Sequence, residues 1–319
     1  MEQPLVSVLL LTYNHEKYIT EAIDSVLNQQ TDFKYEVLIG EDRSTDNTPH
    51  IVNTLVQKYP DKLVLISSLN NVGAIKNEER LFQRSNGKYI AFIEGDDFWT
   101  DPLKLQKQVD FLETNPDFGL VHADVNHYYE DSGKTEHAIN KKNNIKIPQG
   151  DIFDNLLTPE PFFIKTATTC FRKELVSKYF DYELAVQENW PLTDLPLWID
   201  ISYHSKVHYF NEVFATYRLL NESASRTRSL ARHYKYIKGL HAIKVNYMKK
   251  YNSGSDTVNA ITESYYSNIL KFAFKLNDAE QFDKASAYLK KQKHKFSLKE
   301  NLLLAGRFFR LNNLMTYLY

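Results

Sequence analysis

The sequence predicts an α/β domain built on a mostly parallel central sheet flanked by helices, with an α-helical appendage after it. Three observations carry this reading. Short apolar runs alternate with helix-length amphipathic stretches through the first half, the pattern of βαβ crossovers with helices on both faces of a sheet. Charge and pattern then change together near residue 226. Finally, 319 residues with 43% hydrophobic content are long for a single domain, so a main domain plus an appendage is expected.

Each element follows from its local pattern. LVSVLLLT (5–12) is continuous and β-rich, as a strand buried on both faces should be. HEKYITEAIDSVLNQQ (15–30) sets Ile19, Ile23, Val26 and Leu27 on one helical stripe. YEVLIGED reads as a strand, TPHIVNTLVQKY as a helix, KLVLISS as a strand, AIKNEERLFQRS as a helix and KYIAFIEG as a strand. From about residue 229 four helix-length segments follow, divided by NSGS, ND and KHKF.

The net charge of −1 hides an asymmetry. Residues 1–225 carry 21 Lys+Arg against 34 Asp+Glu, and residues 226–319 carry 18 against 6. Between Ser223 and Ser255 there is no acidic residue but there are eight basic ones. Such a block fits either an anionic partner or a solvated helix face. The last segment mixes Lys299, Arg307 and Arg310 with Leu302, Leu303, Leu304, Phe308 and Phe309. It suits internal packing, a homodimer or a membrane interface, and packing is the first expectation. Nucleic acid is excluded as a partner, because the basic segment lacks a sheet of aromatics and an acidic crevice repels a phosphate backbone.

The lone Cys170 rules out an internal disulfide and a cysteine-based zinc site, and it fits a reducing, cytoplasmic compartment. No apolar run approaches the roughly 18 residues a membrane span needs. VSVLLL, with Glu2 before it, is too short for a secretory signal. A cytoplasmic protein, peripheral at most to the inner face of the plasma membrane, is expected.

Ligands of open α/β sheets bind at the carboxyl ends of the strands. Just past the strands stand TYN (12–14), EDRSTDNT (41–48), NNVG (70–73) and EGDDFW (94–99). All four are polar and two are strongly acidic, so they should converge on one crevice. An acidic crevice repels a bare phosphate unless a divalent cation, Mg2+ or Mn2+, lies between them. That would explain why Glu94, Asp96 and Asp97 close a buried strand together. There is no G-x-G-x-x-G after the first strand and no G-x-x-x-x-G-K-[ST], so a dinucleotide site and an NTPase are both disfavoured. A nucleotide-sugar site remains.

In order and spacing, VSVLLLTYNHEKYITEAIDSVLNQ, VLIGEDRSTDNT, NNVGAIKNE and NGKYIAFIEGDDFWTDPLKLQKQVDFLETNP resemble the family-two glycosyltransferases of the GT-A fold. The resemblance is close over residues 4–124 and weaker to about 225. It implies a GT-A domain over 1–225, with a nucleotide-sugar-binding half at 1–124 and an acceptor-binding half at 125–225, and a helical region at 226–319. It also implies an inverting transfer from a nucleotide-diphosphate sugar, most plausibly UDP-linked, to a glycan or lipid-linked acceptor in cell-surface polysaccharide assembly.

Residue by residue, the resemblance places Thr12, Tyr13, Asn14 and Asp42 around the nucleobase. A carboxylate at Asp42 has a physical reason to be there, since it can accept the N3–H of uracil. Asp96 would face the ribose or sugar and Asp97 would ligate the metal. Glu94 stands where Asp is commoner in the family and is expected to support. Lys76 would reach the diphosphate. Asp194, in WPLTDLPLWIDISYHSK, would be the general base, with a helix N-cap as the competing job and Glu188 in reserve. Arg218, Arg226 and Arg228 belong to a segment similar to the family's diphosphate loop. Two rivals stand beside this reading. A non-catalytic binding protein on the same fold would keep Asp42 without needing Asp194. A sugar nucleotidyltransferase would want a Gly/Arg/Lys-rich loop after the first strand, and TYNHEKY lacks one.

Overall fold

Strands β1 (Val6–Thr12), β2 (Tyr35–Glu41), β3 (Leu63–Ser67) and β4 (Tyr89–Glu94) alternate with helices α1 (Ile19–Leu27), α2 (Thr48–Lys58) and α3 (Ala74–Arg84). The computed structural model describes residues 3–158, 163–220 and 229–308. After β4 come β5 (Phe98–Trp99), α4 (Lys104–Thr114), β6 (Phe118–Tyr129), β7 (Lys134–Glu136), α5 (Ile139–Lys142) and α6 (Phe153–Leu156). Then follow β8 (Cys170–Arg172), α7 (Lys173–Tyr179), α8 (Tyr182–Gln187), α9 (Asp194–His204) and β9 (Lys206–Leu219). The sheet runs β3-β2-β1-β4-β8-β6-β9-β5, with β7 paired to β6. β3, β2, β1 and β4 are mutually parallel. β8 is antiparallel to both β4 and β6, and β9 runs parallel to β6.

The parallel half is as apolar as its sequence requires. Val6, Val8, Leu9, Leu10, Val37, Ile39, Ile90 and Ile93 are fully enclosed or nearly so, because helices cover both faces of a parallel sheet. The α1 stripe lies one position from the expected one: Ile19, Ala22, Ile23 and Val26 are buried, while Leu27 is only partly so. Lys104 is a departure that no hydrophobic pattern announces. Its stem is entirely buried, its ammonium lies 4.1 Å from the Trp99 ring centroid, and burial pulls its pKa down to about 7.

The chain divides into two compact units. The first comprises described residues 3–156, 163–188 and 192–220, and the second comprises 157–158, 189–191 and 229–308. In the second unit α10 (Leu230–Lys250), α11 (Ser255–Lys275), α12 (Ala279–Lys291) and α13 (Leu298–Phe308) pack around Ile269, Leu270, Phe274, Phe282, Leu289 and Leu303. The dividers act through backbone chemistry. Asn252, Asn277 and Lys293 take positive φ values of 54°, 56° and 56°, and Asp278 caps α12 by accepting from the Gln281 amide at 3.1 Å. Among the described residues no helix is long and apolar enough to cross a membrane.

Candidate active site

Register brings the polar strand ends together. β1 lies between β2 and β4, with Thr12 opposite Glu41 and Leu11 opposite Glu94, so the residues following these strands must be neighbours. The Asp42 amide donates to Thr12 O at 3.2 Å, and the Gly95 amide donates to Leu11 O at 2.8 Å. Gly95 is needed at this crossing point, because a Cβ there would stand 2.7 Å from both Thr12 Oγ1 and His15 Nδ1.

The loops after β1, β2 and β3 are tied by their own polar groups. Asn14 adopts φ 58°, and its Oδ1 accepts from the Thr45 amide at 2.8 Å. Tyr13 between them is 43% exposed. Asp42, 3% exposed, accepts the Val72 and Gly73 amides at 2.8 Å each, one on each carboxylate oxygen. It therefore fastens the loop after β3 to the end of β2. Lys76 is exposed on the first turn of α3.

Carboxylates crowd the end of β4. Asp97 is 2% exposed. Its Oδ1 accepts the Arg218 amide at 2.8 Å, while Oδ2 has no partner, and neither does the enclosed Oε2 of Glu94. Burial, and next the charges of Asp96 and Glu94, push the Asp97 pKa well above the usual carboxylate range. Glu94 rises to about 8, from burial first and then from Asp96 and Asp194. His15 lies 3.9 Å from Asp96, but burial lowers its pKa, so it does not bring a dependable positive charge.

Arg218 only partly relieves the crowding: its amide and its charge both favour the ionised Asp97, but less than burial, Asp96 and Glu94 oppose it. Its guanidinium donates to Asp96 O at 2.8 Å and to Glu130 at 3.0 Å, and it pairs with Glu21. The Tyr18 and Tyr128 rings flank it at 4.7 and 4.9 Å. Of the three arginines singled out in the sequence, Arg218 is thus committed to a clamp that orients Asp97. Arg226 and Arg228 lie outside the described residues.

Asp194 is the first residue of α9, and Thr193 occupies the N-cap position without a capping side-chain bond. The Asp194 carboxylate accepts from its neighbour's amide, Leu195 N, at 2.6 Å and from Thr166 Oγ1 at 3.3 Å. It does not serve as an N-cap. Burial raises its pKa. Glu188, the reserve, is exposed at the end of α8.

Two groups overlooked in the sequence complete the cluster. Lys165 sits under the influence of Asp194 and Asp97, though burial lowers its pKa against their pull. Glu78, buried on α3, accepts from Tyr182 Oη at 2.9 Å and from Thr193 Oγ1, gripping the start of α9. Its signal in the sequence was the helix stripe itself. Glu78 shares one face of α3 with Leu81 and Phe82, the buried side of that helix.

Burial carries the Glu78 pKa to about 7, which yields a test. The folded protein keeps this proton up to about pH 7 while the unfolded chain releases it near 4.5, so the group's contribution to stability declines as pH rises across that window. Glu78→Gln removes the titration. Relative to wild type, the variant should gain at most about 3 kcal/mol between pH 4.5 and 8, read by denaturant unfolding at both pH values. A difference independent of pH would refute this.

Among the described residues no group of three or more His, Cys, Asp or Glu is arranged to hold a metal ion. Mg2+ and Mn2+ do not demand one, because they take one or two carboxylates and complete their shells with substrate phosphate and water. The partnerless Asp97 Oδ2 and Glu94 Oε2 fit that donor set. An uncompensated carboxylate cluster of this kind accumulates cost unless a cation or proton joins it.

The profile described as Glycosyl transferase family 2 matches residues 7–180. The uncharacterized protein Rv1520 of Mycobacterium tuberculosis is 40% identical over 129 residues, 40% of this chain and 37% of that protein. The chain thus spans little more than a third of the length of such relatives. The putative teichuronic acid biosynthesis glycosyltransferase TuaG of Bacillus subtilis is 27% identical over 252 residues, 77% of this chain and 93% of that one. Among solved structures, the mannosyltransferase PcManGT from Pyrobaculum calidifontis in complex with GDP-Man and Mn2+ superposes with a TM-score of 0.56 at 19% identity, covering 99% of this chain and 84% of that one. S. aureus TarS 1–349 in complex with UDP-GlcNAc gives 0.55 at 16%, covering 92% and 93%. At these identities the structures bear on the fold, which is GT-A. A profile match over more than half the chain settles the family: the chain belongs to glycosyl transferase family 2.

Proposed function

We propose that this chain is an inverting glycosyltransferase that moves a sugar from a nucleotide-diphosphate donor, UDP-linked by preference, to a glycan or lipid-linked acceptor in cell-surface polysaccharide assembly. The observation that carries the reading is the pair of partnerless carboxylate oxygens on Asp97 and Glu94, electrostatically joined to Asp194 across the crevice. The names of TuaG, and of TarS with UDP-GlcNAc, support the polysaccharide setting and the UDP preference. In this reading residues 1–225 are the catalytic domain, donor half 1–124 and acceptor half 125–225, and 226–319 its helical region. The cytoplasmic side of the membrane is its workplace.

Thr12, Tyr13, Asn14 and Asp42 surround the nucleobase. Asp42 Oδ1 accepts the Val72 amide and Ser68 Oγ, while Oδ2 accepts the Gly73 amide alone, and a carboxylate oxygen can accept a second bond, so the N3–H of uracil has an acceptor in Oδ2. Asp96 faces the ribose or sugar, and Lys76 reaches toward the diphosphate. Asp97 holds the divalent cation, Mn2+ or Mg2+, whose chemistry when bound is to stabilise negative charge on the departing β-phosphate oxygen.

Asp194 takes the proton of the acceptor hydroxyl as that oxygen bonds to C1 of the sugar, while the bond from C1 to the β-phosphate oxygen breaks. Attack from the face opposite the leaving group inverts the anomeric centre. Burial makes Asp194 a stronger base than an exposed carboxylate. Thr166 holds one of its oxygens, and Glu78 secures Thr193 beside it.

Calorimetric titration of UDP into the full chain, with and without Mn2+, tests this. Binding that requires the ion is the expected result. Equal binding without it would remove the metal from the reading, and no binding in either condition would remove the UDP preference.

A further inference from the structure

The helical unit turns one strongly positive corner outward. Within the ten residues 290–299, at the end of α12, its connector and the start of α13, Lys290, Lys291, Lys293, Lys295 and Lys299 are all exposed. Two carboxylates beside the connector are held by its own residues. Glu300 is buried and accepts from Ser267 Oγ, the Ser297 amide and Ser297 Oγ. It also faces His294 Nε2 at 3.4 Å, and Glu263 holds the other ring nitrogen. His294 thus pins the connector between α11 and α13 and absorbs the acidic charge that would otherwise offset the lysines.

Beside those lysines stand two leucines that the fold leaves out. Leu298 is 78% exposed and Leu302 40% exposed. They are one helical turn apart and so share a side of α13. Internal packing accounts for Leu303, which is buried, and for Leu304, which packs against the same core, but not for these two. A solvated charged face explains lysines without leucines, and so does a surface for an anionic polymer such as nucleic acid. A bilayer interface explains both, since its headgroups are anionic and its acyl boundary accepts apolar side chains.

We propose that this corner docks the protein on an anionic lipid bilayer, with Leu298 and Leu302 entering the headgroup–acyl boundary and Lys290, Lys291, Lys293 and Lys295 lying on headgroup phosphates. The proposal rests on the helical unit alone and is independent of which donor the other unit takes.

The test is co-sedimentation of the full chain with phosphatidylcholine vesicles carrying about 30% phosphatidylglycerol, a charge density in the anionic-leaflet regime, against phosphatidylcholine alone. Binding only to the anionic vesicles is expected. Replacing Lys290, Lys291, Lys293 and Lys295 by Ala one after another should lower the partition coefficient roughly fivefold per residue. Leu298→Ser with Leu302→Ser should lower it at least roughly tenfold, with an unchanged thermal unfolding curve because both side chains are exposed. Three results would each overturn the proposal: equal binding to both vesicles, no binding to the anionic ones, or a leucine variant that partitions like wild type and so marks a general polyanion surface. A dimer that dissociates in the leucine variant would also overturn it, by making a second copy the occupant. UDP titration of the same variants should match wild type, which separates failure here from failure of the donor reading.

Discussion

Asp97→Ala should abolish Mn2+-dependent UDP binding and lower kcat/KM for transfer roughly 10²–10³-fold, the scale expected when one element of leaving-group charge stabilisation is lost. Stability should move the other way. The wild-type carboxylate is enclosed, one of its oxygens is partnerless and its neighbours repel it, so removing it deletes a desolvation cost. The opposing loss is the partner of the buried Arg218 amide, which costs about 1–3 kcal/mol when left unpaired. Calorimetric titration and a thermal melt on the same preparation read both effects. A variant that unfolds early, or that still binds UDP only with Mn2+, would show that Asp97 is a structural residue.

Asp194→Asn should reduce kcat roughly 10²–10⁴-fold and leave UDP binding unchanged. Asn preserves the shape: its one carbonyl oxygen can keep the Leu195 amide and its NH2 can donate to Thr166 Oγ1, so the substitution removes basicity and little else. Donor hydrolysis, with water as the acceptor, should fall alongside transfer because both require a hydroxyl proton to be taken. The informative comparison is with Asp97→Ala, since one variant loses the donor and the other loses only turnover. Transfer at the wild-type rate in Asp194→Asn would move the base elsewhere. Glu188 is a poor heir, because it is exposed at the end of α8.

Much of the fold was legible because βαβ architecture writes itself in local periodicity. The run at 5–12 is apolar save for Ser7 and Thr12 and is buried throughout its strand save for Leu11, and the turn signals ND and NSGS stand where positive-φ asparagines end helices. The strand-end rule then located the crevice with no knowledge of side-chain positions. Reading was poorer wherever a residue's role depends on chain distant in sequence. Arg218 stood with Arg226 and Arg228 as a diphosphate candidate because its segment is similar to the family's diphosphate loop. It is instead pinned to Glu21 and Glu130, 197 and 88 residues away, and a sequence window cannot see such pairs. Glu78 reads as one more charge in KNEER until α8 and α9 deliver Tyr182 and Thr193 to it.

The sequence by itself determined the parallel half of the sheet, the acidic character of its carboxyl edge and the helical nature of the second unit. Those properties follow from side-chain periodicity, turn chemistry and the direction of βαβ crossovers, all of which act over a few tens of residues. Tertiary structure alone decided which carboxylates go unpartnered, that Asp194 is freed from capping, that Lys104 is buried and Lys165 half-buried, and that Leu298 and Leu302 are left facing outward. Desolvation and pairing set those outcomes. Both depend on what other elements bring to within a few ångströms, and that is fixed only once the whole chain has packed.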